Sequence, residues 1–96
     1  MKVRFGLAAM EEFEAAFEYF AARDIVIAGD FHDAVHAAVS QIEQSPQRWP
    51  EIEPGLRRYR LDRFKYSLVY RVLSDHVQII AVAHLSREPR YWISRI

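Results

Sequence analysis

Tyr66-Ser67-Leu68-Val69-Tyr70-Arg71-Val72-Leu73, then Ser74-Asp75, then His76-Val77-Gln78-Ile79-Ile80-Ala81-Val82-Ala83-His84-Leu85, is the stretch on which the fold turns. Two runs rich in β-branched and aromatic residues, joined by a two-residue polar turn, make the pattern of a β-hairpin. Working backward, Arg63-Phe64-Lys65 supplies a second short turn, and Arg57–Asp62 alternates basic with apolar residues, so a third strand precedes the hairpin. The three form an antiparallel meander. Before them, Pro46, Pro50, Pro54 and Gly55 mark an irregular segment.

Upstream of that segment the period changes from two to that of a helix. Phe31, Val35, Ala38, Val39 and Ile42 share one helical face. Arg23-Asp24 opens this helix, and Ser45-Pro46 stops it, because a residue before proline is pushed out of the α region. Met10, Phe13, Phe17 and Phe20 recur in the same way, with Glu11, Glu14 and Glu18 away from them, which predicts a first amphipathic helix over residues 8–22. The Phe stripe reads as core rather than as a cofactor box. With almost no loop between them, the two helices form an antiparallel hairpin. Lys2 to Leu7 is a short first strand. The order β-α-α-β-β-β predicts an α+β fold: one small, mostly antiparallel or mixed sheet, covered on one face by the helical hairpin.

At 96 residues the chain is one domain, 1–96, with a single core. Its hydrophobic share of 51% and charged share of 27% are those of a globular protein. No cysteine occurs, which excludes disulfides, thiol nucleophiles and Cys-based metal centres. Neither a leader with an apolar core nor a membrane-length apolar run is present, so a cytoplasmic protein is predicted. The net charge of zero hides an asymmetry: residues 1–54 carry ten acids against four bases, and residues 55–96 carry nine bases against three acids. Either the halves neutralise each other across the fold, or a basic surface is offered to an anionic partner.

Strand parity divides the sheet residues. Tyr59, Leu61, Tyr66, Leu68, Tyr70 and Val72 are assigned to the helix side, together with Val77, Ile79, Ala81 and Ala83. Arg58, Arg60, Asp62, Ser67, Val69, Arg71, Gln78, Ile80, Val82 and His84 fall on the other face. That face is expected to be open, concave and basic, with Arg87, Arg90, Tyr91 and Trp92 of the tail within reach.

Taken together, Tyr66 to Val72, Val77 to His84 and Arg87-Glu88-Pro89-Arg90-Tyr91-Trp92 resemble the RelE/ParE superfamily of bacterial type II toxins. The acidic, alanine-rich first helix and the Ser-Pro break before the basic strands are similar as well, so the likeness spans nearly the whole chain. It is closest to the ParE-like branch, often described as plasmid-stabilisation proteins. The resemblance implies a growth-arresting toxin silenced by a cognate antitoxin protein. ParE-like members inhibit DNA gyrase with no recognised chemistry of their own, whereas RelE-like members cut mRNA on the ribosome. Whether this chain is an enzyme is thus left open, and no cofactor or metal is implied. Sequence-specific DNA binding belongs to the antitoxin in such pairs.

RelE-like cleavage draws largely on lysines, arginines and a tyrosine, and only Lys2 and Lys65 occur here, neither at a matching place. An interferase would therefore rely on His84, Arg60, Arg71, Arg87 and Tyr91, with His84 exchanging the proton and the arginines holding phosphate. An inhibitor would instead bind its target or partner through Arg58, Arg60, Arg71, Arg87, Arg90 and Trp92. Tyr91-Trp92 can stack on bases, or more simply pack the tail against the sheet. A third reading is an inactive relative that only binds an antitoxin. His32 and His36 superficially match a zinc pattern, but no third ligand is evident, and two polar residues on a solvated helix face explain them better. Trp49 reads as a plug between the helix end and the sheet.

Overall fold

The computed structural model describes all 96 residues. The helical hairpin stands where periodicity puts it: α1 is Leu7–Ala21 and α2 is Ile25–Gln44. Asp24 starts α2 as its N-cap, its carboxylate accepting the Val26 N–H at 2.9 Å. Five strands surround this pair in sequence: β1 Val3–Phe5, β2 Glu51–Glu53, β3 Leu56–Arg60, β4 Tyr66–Val72 and β5 Val77–His84. A short 3-10 turn, Ile93–Arg95, ends the tail.

The sheet order is β1-β5-β4-β3-β2. β1 runs parallel to β5, and every other pair is antiparallel. The extra strand is β2, which corrects the reading of residues 46–55 as wholly irregular. Gly55, at φ 80°, allows the tight turn into β3, and the Glu51 carboxylate accepts its N–H at 2.8 Å. Gly6 is needed for a different reason. Its N–H bonds the Ile79 carbonyl at 2.9 Å, and a Cβ there would stand 3.2 Å from that oxygen.

One irregularity reorganises the sheet. β4 and β5 pair Val69 with Ala81 but Tyr70 with Ile79, so Ile80 is an extra residue, a β-bulge. Side chains beyond a bulge exchange faces. The parity assignment therefore holds for Val77 and Ile79, which face the helices, and fails after Ile80. Val82 joins the helix-side core with Phe31, Leu68 and Tyr70. Ala81 and Ala83, expected under the helices, lie on the other side.

That other side is not open. Leu56, Val69, Ile80, Ala81 and Trp92 form a second buried cluster, with Trp92 folded back from the tail. Ser67 and Val69, expected on an exposed face, are buried as a result. Trp49 is half-buried against the main core, its ring 4.8 Å from that of Tyr59.

Candidate functional site

Three ion pairs join the acidic half of the chain to the basic half. Arg63 meets Asp30 at 2.9 Å, Arg90 meets Glu53 at 2.6 Å, and Arg95 meets Glu12 at 2.8 Å. Arg58, Arg60, Lys65 and Arg87 remain exposed with no acidic partner. Both readings of the charge asymmetry thus hold in part: some of the basic half is neutralised internally, and the remainder is presented outward.

Glu12 organises the tail. One carboxylate oxygen accepts the Val82 N–H at 3.0 Å and the Arg95 guanidinium at 2.8 Å. The other accepts the Tyr91 hydroxyl at 2.6 Å and a second Arg95 nitrogen at 3.0 Å. Arg95 also donates to the Ile80 carbonyl at 3.1 Å. Polar groups on both sides of the bulge are therefore satisfied by side chains instead of a neighbouring strand. Burial first, and then the bond to Glu12, push the Tyr91 phenol well above its usual range. The bond to Glu12 likewise raises Arg95. Arg90 reaches Glu53 from a left-handed backbone at φ 62°.

The bulge turns His84, with Arg87 still beside it, to the helix side and away from Arg60 and Arg71. Its ring stands edge-on to Tyr66 at 5.0 Å. Nδ1 accepts the Ser86 N–H at 3.0 Å and lies 2.8 Å from the Ser86 hydroxyl, so in the neutral ring the proton sits on Nε2. There His84 lines a groove of about 570 Å³ with Tyr19, Phe20, Phe64 and Tyr66, rimmed by Arg63, Lys65 and Arg87. Burial raises the Tyr66 phenol, with smaller contributions from Tyr19 and Glu12.

On the tail side a smaller cleft of about 150 Å³ is lined by Arg58, Ser67, His84, Arg87, Glu88, Tyr91 and Trp92, among others. Arg87 lies flat over the Tyr91 ring at 3.8 Å and belongs to both concavities. Trp92 is only 5% exposed and acts as a wall of the cleft, not as a free platform.

The remaining candidates do not converge. Arg60 pairs across from Ser67, whereas Arg71 sits four residues further along β4, about 13 Å away at the usual rise per residue. They share a face but are not neighbours, so they cannot hold one phosphate between them. Arg71 is held by Gln78 at 2.8 Å. His32 and His36 stack at 4.2 Å on the exposed side of α2. The residue that sequence reasoning missed is Glu12. The signal was the alanine pairs on either side of it, Ala8-Ala9 and Ala15-Ala16, small residues that let the helix approach the sheet.

The arrangement suits binding: exposed guanidiniums around an aromatic groove and a small polar cleft. Among known proteins, the family described as "ParE toxin of type II toxin-antitoxin system, parDE" matches residues 3–89. No curated protein matches the sequence significantly. Eight chains of solved structures match it in fold. One of them, described as "Chromosomal ParDE TA system from P. aeruginosa", is 21% identical with a TM-score of 0.65, over 88% of this chain and 95% of that one.

Proposed function

The chain belongs to the ParE toxin family of type II toxin–antitoxin systems, and from that premise we propose that it arrests growth by binding and inhibiting DNA gyrase, and that a cognate antitoxin neutralises it. The observation that carries the inhibitor reading is the dispersal of the groups that RNA cleavage would need. A general base works best with a pKa near the operating pH. The Tyr91 phenol is pushed far from it and its hydroxyl is engaged by Glu12. Of the arginines assigned to cleavage only Arg87 shares a concavity with His84, while Arg60 and Arg71 line neither cleft and stand apart from each other. What the chain does gather in one place is exposed positive charge beside aromatic surface, the kind of site that seats a protein partner.

The antitoxin is proposed from the same membership, and from the likeness to a structure described as a ParDE system. Strand addition offers it little. The edge strands β1 and β2 have three residues each, and the β5 backbone beyond β1 is taken by Glu12 and Arg95. The groove around Tyr19, Phe64 and Tyr66 is the better seat for a segment that folds on binding.

Two assays test this reading. In a purified translation reaction with one defined mRNA, primer extension detects no new 5′ ends when the protein is added. In a supercoiling assay the same preparation inhibits gyrase. Alanine at His84 leaves inhibition intact, whereas alanine at Arg87 and Arg90 together abolishes it. Ribosome-dependent cleavage, or gyrase activity untouched by the unaltered protein, would sink the proposal in favour of an mRNA interferase or an inactive relative.

A further inference from the structure

Ser67 is 1% exposed, and its hydroxyl has no hydrogen-bond partner in the protein. Buried hydroxyls are ordinarily paired, and one left alone marks either a strain or a site. This one lies in the floor of the tail-side cleft. Around it stand Arg58, exposed and without an acidic partner, and Arg87, whose guanidinium is held flat over Tyr91. Glu88, on the same rim, makes no ion pair with either.

We infer that this cleft is a binding site for one carboxylate, the side chain of an aspartate or glutamate presented by a partner protein. The Ser67 hydroxyl and the two guanidiniums are the donors. The size suits a small anionic group: the cleft is about 150 Å³, against ~300–1,000 Å³ for pockets that enclose a whole small-molecule ligand. There is no platform for a base. Tyr91 is covered by Arg87 and Arg95, and Trp92 is buried. Ser67 is reached when a rim side chain swings aside, and Arg58 and Glu88 are exposed and make no ion pair that would hold them. The anion then draws the two arginines in over itself. The site stands on its own geometry, while its assignment to a partner protein rests on the inhibitor reading above.

The test is an NMR titration of the full chain in which sodium acetate replaces sodium chloride at constant ionic strength. Saturable shifts are expected at the Ser67 and Ala83 amides, the Arg87 side chain and the Trp92 indole. Ser67→Ala or Arg58→Gln raises the half-saturation concentration about tenfold, the loss of one charge-assisted hydrogen bond. No saturable shift, or one indifferent to both substitutions, overturns the site. Saturation by sodium phosphate where acetate fails overturns the carboxylate in favour of a nucleic-acid phosphate. The same two variants are then compared with the unaltered protein in gyrase supercoiling, where weaker inhibition by both supports the partner assignment. If acetate binds but both variants inhibit gyrase and are neutralised as the parent is, the cleft holds an adventitious ion only, and the partner assignment falls. If the unaltered protein does not inhibit gyrase, it is the inhibitor reading that fails, and the acetate result still decides the site.

Discussion

A hydroxyl buried without a partner costs about 1–3 kcal/mol, and Ser67 carries that cost in the middle of the sheet. Ser67→Ala removes the cost and little volume. The variant is therefore predicted to be more stable by about 1 kcal/mol, a rise of about 4–8 °C in Tm for a domain of this size. Calorimetry decides it, and an unchanged or lower Tm would mean that the hydroxyl is satisfied in solution. Glu12 is the opposite case. Glu12→Ala strands a guanidinium, a phenol and a backbone N–H together, at a cost of about 3 kcal/mol. The Trp92 emission should shift to the red as the tail loosens, before the main core melts. An emission spectrum identical to that of the parent would show that the tail holds without its clamp. Neither role was legible from residue type alone. Ser67 reads as one polar mark in a strand, and Glu12 as one more acid on an acidic helix, because what distinguishes them is contact with residues far away in sequence.

At the level of the element, the helices and the meander were legible because their periods are unambiguous: aromatic spacing in α1, Asp24 and Ser45-Pro46 as the limits of α2, and a two-residue turn between β4 and β5. β5 misleads for a physical reason. From Ile79 to Ala83 every residue is apolar, so no alternation exists to fix which side chain faces which way. The bulge at Ile80 is a choice made by the two cores, which seat Val82 under the helices and Ala81 under Trp92. β2 escaped notice because three residues between prolines and a glycine carry no period at all. Deleting Ile80 restores simple alternation while Ala81, Val82 and His84 keep the faces they have, so what is lost is the bulge itself, the isoleucine packed in the cluster with Trp92 and the carbonyl that Arg95 meets. The deletion is predicted to cost more than about 4 kcal/mol, a large part of the stability of a small domain. A urea midpoint within error of the parent's would show that Ile80 and its bulge contribute nothing to the second core.

For the molecule as a whole, the opposite charges of the two halves were plain in the sequence, but their use was not, since only folding decides which arginines find an acid. Arg63, Arg90 and Arg95 do, each across more than thirty residues of chain, and they bind the tail and the β3–β4 turn to the first half. The tyrosines carry a second global property. Tyr59, Tyr66, Tyr70 and Tyr91 are all pushed above the usual value of 10.0, with burial the leading cause in each. A phenol that holds its proton more tightly when folded contributes stability that is complete below the unfolded value and is lost as pH rises from there through the folded value. The urea midpoint is therefore predicted to be level up to about pH 9.5 and to fall from about pH 10 upward. Tyr91, whose phenol is raised furthest because it is both buried and bonded to Glu12, should weigh most, and Tyr59, Tyr66 and Tyr70 less. The phenol at position 91 gives this decline a local signature. In Tyr91→Phe the group that ionises is gone, so the midpoint starts lower by about 1 kcal/mol of lost hydrogen bond yet falls less steeply in alkali. Parallel curves for the two proteins above pH 10 would show that the Tyr91–Glu12 contact does not retain its proton in the fold, and would take with it the argument that Tyr91 is unsuited to act as a base.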